Sequence, residues 1–294
     1  MYAGKNRNWG SIKPPPGTLI DWGHPLSYGL IGCWLLNEVG SGRIIDSTGR
    51  HPPGSLVNAP TWDRGMFGPA MQFSNASNTY INIGNSIPLR GLGQFSISCW
   101  AYPTSTTANR AFISEWEGCT SANGSTFTWG MNQNGANAVQ FYVDNQATGC
   151  GSGGSGQWNS VTVQNVWQHL VVTFDGTLGV GSKSQLYRNG VQQVKANDSI
   201  NVTTTGTFTT NPLTIGTLDG ISPKWPFDGK LDNYQMWNRV ISQAEARKLY
   251  TAPFDFFRPF GSVGIGQVGV NIFPDMWHPK IETPYPEKLE VVGY

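Results

Sequence analysis

Apolar residues in this chain fall into short runs parted by turn-forming residues. GLIGCWLLNE (29–38) is apolar almost throughout and has the length of a strand. It is followed by PAMQF (69–73), TYINIG (79–84), QFSISCWAYP (94–103), RAFISEW (110–116), STFTWGM (125–131) and AVQFYVD (138–144). Then come QHLVVTFD (168–175), SQLYRNG (184–190), VQQVK (191–195), PLTIGT (212–217) and GKLDNYQMWN (229–238). Alternation along QFSISCWAYP puts Phe95, Ile97, Cys99 and Ala101 on one face and Ser96, Ser98, Trp100 and Tyr102 on the other. Many short strands at such spacing predict a sandwich or a barrel. Asn189-Gly190 is a strong hairpin signal. One helix is predicted. Ser242 stands at its N-cap, Glu245 follows at capping-box spacing, and Ala244, Ala246, Leu249 and Tyr250 continue it until Pro253. A helix of about two turns cannot stand alone, so it must pack on the strands.

The flanks read differently. In residues 1–27, KPPPG (13–17) cannot join a ladder because proline lacks the donor, and DWGHPLSYG shows no periodicity. Residues 253–294 hold an alternating stretch, SVGIGQVGVNIF (262–273), and a proline-punctuated remainder. The expected organisation is an N-terminal arm (1–27), a compact domain (28–252) and a C-terminal arm (253–294). Arms without a core of their own are ordered by binding something else.

Composition supports strands over helices: 37 glycines, 19 prolines and 13% charged residues. The net charge is +1 with no block of Lys or Arg, so a nucleic-acid partner is not expected. No apolar run is long enough to cross a bilayer, so neither is a membrane. MYAGKNRNWGSIKPPPG lacks the apolar core of a signal peptide, which leaves a processed chain or release with a virus particle as expectations. Sequons at Asn75, Asn123, Asn197 and Asn201 carry little weight in a chain so rich in Asn, Ser and Thr.

Cys33 and Cys99 lie inside apolar runs and read as buried thiols. Cys119 and Cys150 lie nearly equidistant from Gly135, the expected turn between STFTWGM and AVQFYVD. Antiparallel pairing about that turn would bring the two together as a disulfide, implying an oxidising environment. The alternative is two unrelated loop thiols.

GLIGCWLLNEVGSGRIIDSTGRH (29–51), GMFGPAMQFSNASNTYINIG (65–84), FSISCWAYP (95–103), WQHLVVTFDG (167–176), QLYRNGVQQ (185–193) and GKLDNYQMWNRVISQAEARKLY (229–250) occur in this order. Together they resemble the laminin-G-like, concanavalin A-like jelly-roll domain over about residues 28–252. DWGHPLSYGLIGCW before it and LYTAPFDFFRP after it resemble laminin-G-like virion proteins of tailed phages. The resemblance implies an all-β fold, a two-sheet antiparallel jelly-roll sandwich with one concave sheet. One short C-terminal helix and the two arms complete it, and the opening and closing strands lie near each other. It also implies a structural calcium tying the opening segment to the closing strand. Asp232 on that strand is the candidate ligand, with Asp46 and Glu38 from the loop after the opening strand. The alternative is that Asp232 only accepts hydrogen bonds from loop amides.

Catalytic relatives of this fold carry Glu-x-Asp-x-Glu on one strand. The nearest match, SEWEG with Glu115 and Glu117, lacks the third acid, and the chain is expected not to be an enzyme. Candidate ligand-binding residues are Trp100, Tyr102, Trp116, Gln140 and Tyr142, because sugars dock on aromatic faces beside amides. Arms or loops covering those aromatics are the alternative. The main expectation is a non-enzymatic virion structural protein, a capsid decoration or tail-associated protein on the virion surface. Its partners would be other virion proteins and copies of itself, engaged through the arms. The second expectation is a carbohydrate-binding module, secreted or on a virion, that meets host-surface glycans. A glycoside hydrolase comes third.

Overall fold

The computed structural model describes residues 9–85, 89–105, 109–117, 126–135, 137–145, 153–207, 212–218 and 224–259. In chain order the strands are β1 (Leu30–Trp34), β2 (Arg43–Ile44), β3 (Gly54–Val57), β4 (Thr61–Arg64), β5 (Pro69–Phe73) and β6 (Tyr80–Gly84). Next are β7 (Gln94–Pro103), β8 (Arg110–Glu117), β9 (Thr126–Asn134), β10 (Ala138–Val143), β11 (Ser155–Trp158) and β12 (Gln168–Asp175). The last are β13 (Ser184–Arg188), β14 (Val191–Gln192), β15 (Asn197–Asp198), β16 (Leu213–Ile215) and β17 (Gly229–Trp237), followed by α1 (Gln243–Thr251).

Among the described residues the strands form two antiparallel sheets. The first runs β14-β13-β12-β7-β17-β5-β4, with β1 also paired to β17. The second runs β15-β11-β10-β9-β8-β16-β6-β3-β2. Opening and closing strands are neighbours, with Leu30 opposite Trp237 and Trp34 opposite Tyr234. The inward faces build one core. β7, β12 and β17 contribute Phe95, Ile97, Leu170, Val172, Phe174 and Met236, and the second sheet contributes Phe112, Trp129, Met131, Val139, Phe141 and Leu213. Cys33 and Cys99 are buried free thiols. The fold is therefore the two-sheet jelly-roll sandwich that the alternation and the resemblance both imply.

The Asn189-Gly190 turn joins β13 to β14 with φ values of 52° and 76°, the doubly left-handed backbone of a two-residue hairpin. Its tip rests on the helix: a Cβ on Gly190 would lie 2.6 Å from Arg247 Cα. The helix carries the full capping box, with Ser242 accepting from Glu245 N and the Glu245 carboxylate accepting from Ser242 N. Ala246 and Leu249 are its buried positions.

The boundary expected at residue 28 is not where the packing begins. Trp9, Ile20 and Leu26 belong to a second apolar cluster with Leu30, Cys33, Trp237, Leu249, Phe254, Phe256 and Phe257. This cluster covers the outer face of the first sheet. The two flanks also pair with each other: Ile20 bridges Phe257, Asp21 N donates to Phe256 O, and Trp9 Nε1 donates to Arg258 O at 2.8 Å. Residues 9–27 and 253–259 thus complete the domain. The C-terminal arm beyond Pro259 and the cysteines Cys119 and Cys150 lie outside the described residues.

Candidate functional site

With α1 and the flanking segments on the first sheet, the outer face of the second sheet is the place to seek a ligand surface. Directly opposed residues of an antiparallel pair share a face. Gln140 lies opposite Asn132 on β9 and Gln157 on β11. Tyr142 lies opposite Gly130 and Ser155, and Asn134 lies opposite Ala138. The intervening Val139, Phe141, Val143, Trp129 and Met131 belong to the core, so the first set faces outward.

Four of these outward residues, Gln140, Asn134, Tyr142 and Ser155, form one hydrogen-bonded array centred on Gln140. Its Oε1 accepts from Asn134 Nδ2 at 2.5 Å and from the Tyr142 hydroxyl. Its Nε2 donates to Ser155 Oγ at 2.9 Å. Gln157 Nε2 donates to Asn159 Oδ1 at 3.1 Å beside it. Gln140 itself is only 8% exposed, whereas Asn134, Tyr142, Ser155 and Gln157 are half-buried. Partial burial holds the Tyr142 hydroxyl above its usual pKa, so it stays protonated. Asn132 is fully buried; its Nδ2 donates to Gln133 O, and its Oδ1 has no partner among the described residues. The sequence pattern singles out Gln140 and Tyr142 but not Asn132, Asn134, Ser155 and Gln157. The missing signal is the continued alternation of β9, which runs to Asn134, three residues past the expected strand end at Met131.

The five expected ligand residues do not converge. Trp100 points outward on β7, as alternation requires, but that face is roofed. Its ring stacks on Tyr250 of α1 at 5.7 Å, meets Phe67 edge-on at 4.8 Å and lies 5.2 Å from His169. At 2% exposure it is not a sugar platform, because the helix occupies the space a ligand would need. Tyr102 lies on the same strand, half-buried between Trp167 and Lys230. Trp116 belongs to β8 of the second sheet, two strands from Gln140, and packs against Trp225 and Lys224. Only Gln140 and Tyr142 meet.

His169 sits within β12. Its ring is fully buried and its Nε2 lies 2.8 Å from Ser98 Oγ. Burial pushes its pKa down to about 3, so it is neutral. Glu115 faces inward, fully buried, where Arg90 Nε and Trp129 Nε1 donate to its carboxylate at 2.5 and 3.0 Å. Burial raises its pKa despite the guanidinium. The side chain of Glu117 lies outside the described residues.

The three acids expected to hold calcium do not make a cage. Asp46 Oδ1 accepts from Cys33 N and Thr48 N, and Oδ2 accepts from Thr48 Oγ1, Arg50 N and His51 N. That carboxylate shapes its own loop and has no oxygen to spare. Glu38 is tied to Asn37 N and Ile45 N at 3.0 Å each. Asp232, fully buried, meets the Lys13 ammonium at 2.5 Å. Among the described residues no three or more His, Cys, Asp or Glu gather as a metal site. The residues present do not fit a calcium ion held by these acids.

A family model described as Concanavalin A-like lectin/glucanases superfamily matches residues 75–247, more than half of the chain. No curated protein matches in sequence. Among solved structures, Trypanosoma rangeli sialidase in complex with sialic acid is 13% identical with a TM-score of 0.50. The match covers 76% of this chain and 33% of the sialidase, so the likeness spans about a third of that enzyme's length. The binding domain of Paraclostridial Mosquitocidal Protein 1 is 16% identical, also at 0.50, covering 76% of this chain and 52% of that one. Domain 4 of AbnA, an extracellular arabinanase from Geobacillus stearothermophilus in complex with arabinotriose, is 17% identical at 0.49, covering 75% and 98%. At these identities the two matches with a TM-score of 0.50 speak for the fold alone.

Proposed function

Because this chain belongs to the concanavalin A-like lectin/glucanases superfamily, we propose that it is a carbohydrate-binding domain whose ligand docks on the outer face of the second sheet. The observation that carries this reading is the Gln140 array. One buried amide fixes a tyrosine, an asparagine and a serine on three adjacent strands. Sugars are recognised by amides and hydroxyls held rigidly beside an aromatic ring. Side chains set on strands and locked by neighbours supply that rigidity. In this reading Tyr142, Asn134, Ser155 and Gln157 touch the ligand, and Gln140 positions them from below.

The domain acts by binding and does no chemistry on the sugar. Retaining glycoside hydrolysis needs two carboxyl groups flanking the bond about 5–5.5 Å apart. Glu115, the acid nearest to that pattern in sequence, is turned into the core and engaged by Arg90 and Trp129.

A glycan array probed with the full chain tests the proposal. Binding to a defined glycan class is expected, and Tyr142→Ala or Gln157→Ala should weaken it at least about tenfold while the melting midpoint stays close to wild type. A flat array from folded protein would sink the proposal, as would glycan binding unmoved by both substitutions. A narrower reading places this domain on a virion surface, held there through the segment beyond Gly261. Its support is the resemblance of the flanking segments to phage laminin-G-like proteins.

A further inference from the structure

Asp232 stands in the middle of the closing strand, opposite Trp100, so its carboxyl projects from the outer face of the first sheet. A register shift follows between Asp232 and Gln235, with Asn233 at φ 50°. The carboxyl is completely buried. One ammonium group answers it. Lys13 Nζ donates to Asp232 Oδ1 at 2.5 Å, to Leu36 O at 3.3 Å and to Pro69 O. An ammonium has three protons, and all three are used. The acceptors come from the loop after β1, the start of β5 and the centre of β17. The cation therefore ties together segments at opposite ends of the chain.

The surroundings are built around this group. Pro14, Pro15 and Pro16 follow Lys13 and stiffen the segment that delivers it. Asn37 Nδ2 donates to Pro14 O at 2.6 Å and holds that segment down. Gly65 closes over the carboxylate, where an added Cβ would lie 3.2 Å from Asp232 Oδ2 and 2.8 Å from the Ala70 Cβ. Asp232 Oδ2 has no hydrogen-bond partner among the described residues, and the Lys13 ammonium is the cation that meets this carboxylate at Oδ1.

A carboxylate and backbone carbonyls facing one cation make up the oxygen chemistry that hard divalent ions use. Here the cation is covalently part of the chain. We infer that Lys13 is the resident cation of this site. It does the tying that a bound metal ion would otherwise do between the opening and closing segments, and the domain needs no divalent ion at Asp232.

Melting of the full chain and its variants tests this, with and without chelator and millimolar calcium. Wild type should melt at the same temperature in both. Lys13→Met keeps the length of the side chain and removes the charge, which strands a buried carboxylate. Its midpoint should fall by about 10 °C, from the usual loss on breaking a buried ion pair in a domain of this size. Asp232→Asn should also lower the midpoint. The double variant Lys13→Met/Asp232→Asn should lose clearly less than the sum of the two, because neither buried charge is then left alone. If Lys13→Met does not fold, the double variant still should, and its midpoint against Asp232→Asn gives the same answer. Three results would overturn the inference. They are a Lys13→Met variant that melts like wild type, additive losses in the double variant, and a calcium-dependent midpoint in wild type that Asp232→Asn abolishes.

Discussion

Acidification from pH 8 to pH 5 should cost the fold about 2 kcal/mol through His169 alone. The ring is fully buried beside Trp100 and Tyr250, and its pKa is pushed down to about 3. In the unfolded chain it titrates near 6.5. Below that value the unfolded state takes up a proton that the folded state refuses, so stability falls as pH falls. At pH 5 the unfolded state gains a factor of about 30, which is about 2 kcal/mol. Above pH 7 the term vanishes, and below about pH 3 it is spent in full. Glu115 works the other way. Its raised pKa, from burial, means that the folded state binds a proton more readily than the unfolded one. That contribution is present at low pH and is lost as pH rises toward 7. The wild-type profile therefore sums two opposed slopes, and a single stability curve would hide both. The assay is denaturant unfolding of wild type and His169→Phe at pH 8 and pH 5. The variant forgoes the 2.8 Å contact to Ser98, so it starts less stable. Its disadvantage should shrink by about 2 kcal/mol on acidification. Parallel losses in the two proteins would show that His169 is protonated in the fold and refute the reasoning.

Gly190→Ala forces a side chain into left-handed backbone at φ 76° and toward Arg247 Cα. A loss of at least about 1–2 kcal/mol is expected, visible as a midpoint lower by roughly 4 °C or more; an unchanged midpoint would contradict the docking of this hairpin on α1. Truncation separates the two parts of the C-terminal stretch. Removing 262–294 should leave the melting of the compact unit that ends at Gly261 nearly unchanged. Removing 254–294 takes away Phe254, Phe256 and Phe257, all buried, and each such loss costs about 3–5 kcal/mol. If the virion reading holds, the shorter truncation should also abolish attachment to particles; full attachment by that folded truncation would rule it out.

What the sequence made legible was local. The capped helix could be read from Ser242 and Glu245, and the hairpin from Asn189 and Gly190, because their partners lie within a few residues. Strand alternation put Phe95, Ile97, Cys99 and Ala101 on one face, and that face is core. Long-range partners were illegible. Trp9, Lys13, Ile20 and Leu26 follow no period, since each is held by residues more than 200 positions away or by the second cluster. The same limit applies to Trp100. Alternation gives its side of the strand but not the Tyr250 ring laid over it. At the candidate site, Gln140 and Tyr142 stand out because β10 alternates strictly. Asn132, Asn134, Ser155 and Gln157 join them only once the register is known.

The contact between Trp9 and Arg258 spans 249 positions, and that between Lys13 and Asp232 spans 219. A chain is made from its N-terminus, so the first of these residues to leave the ribosome are the last to find their places. Until the closing strand and the Phe254–Phe257 stretch have been synthesised, Trp9, Ile20 and Leu26 have nothing to cover. The closure entropy of so long a loop must also be met before any contact rewards it. Such a chain stays exposed for nearly the whole time of its synthesis, and its yield in a cell should track chaperone supply more closely than its final stability.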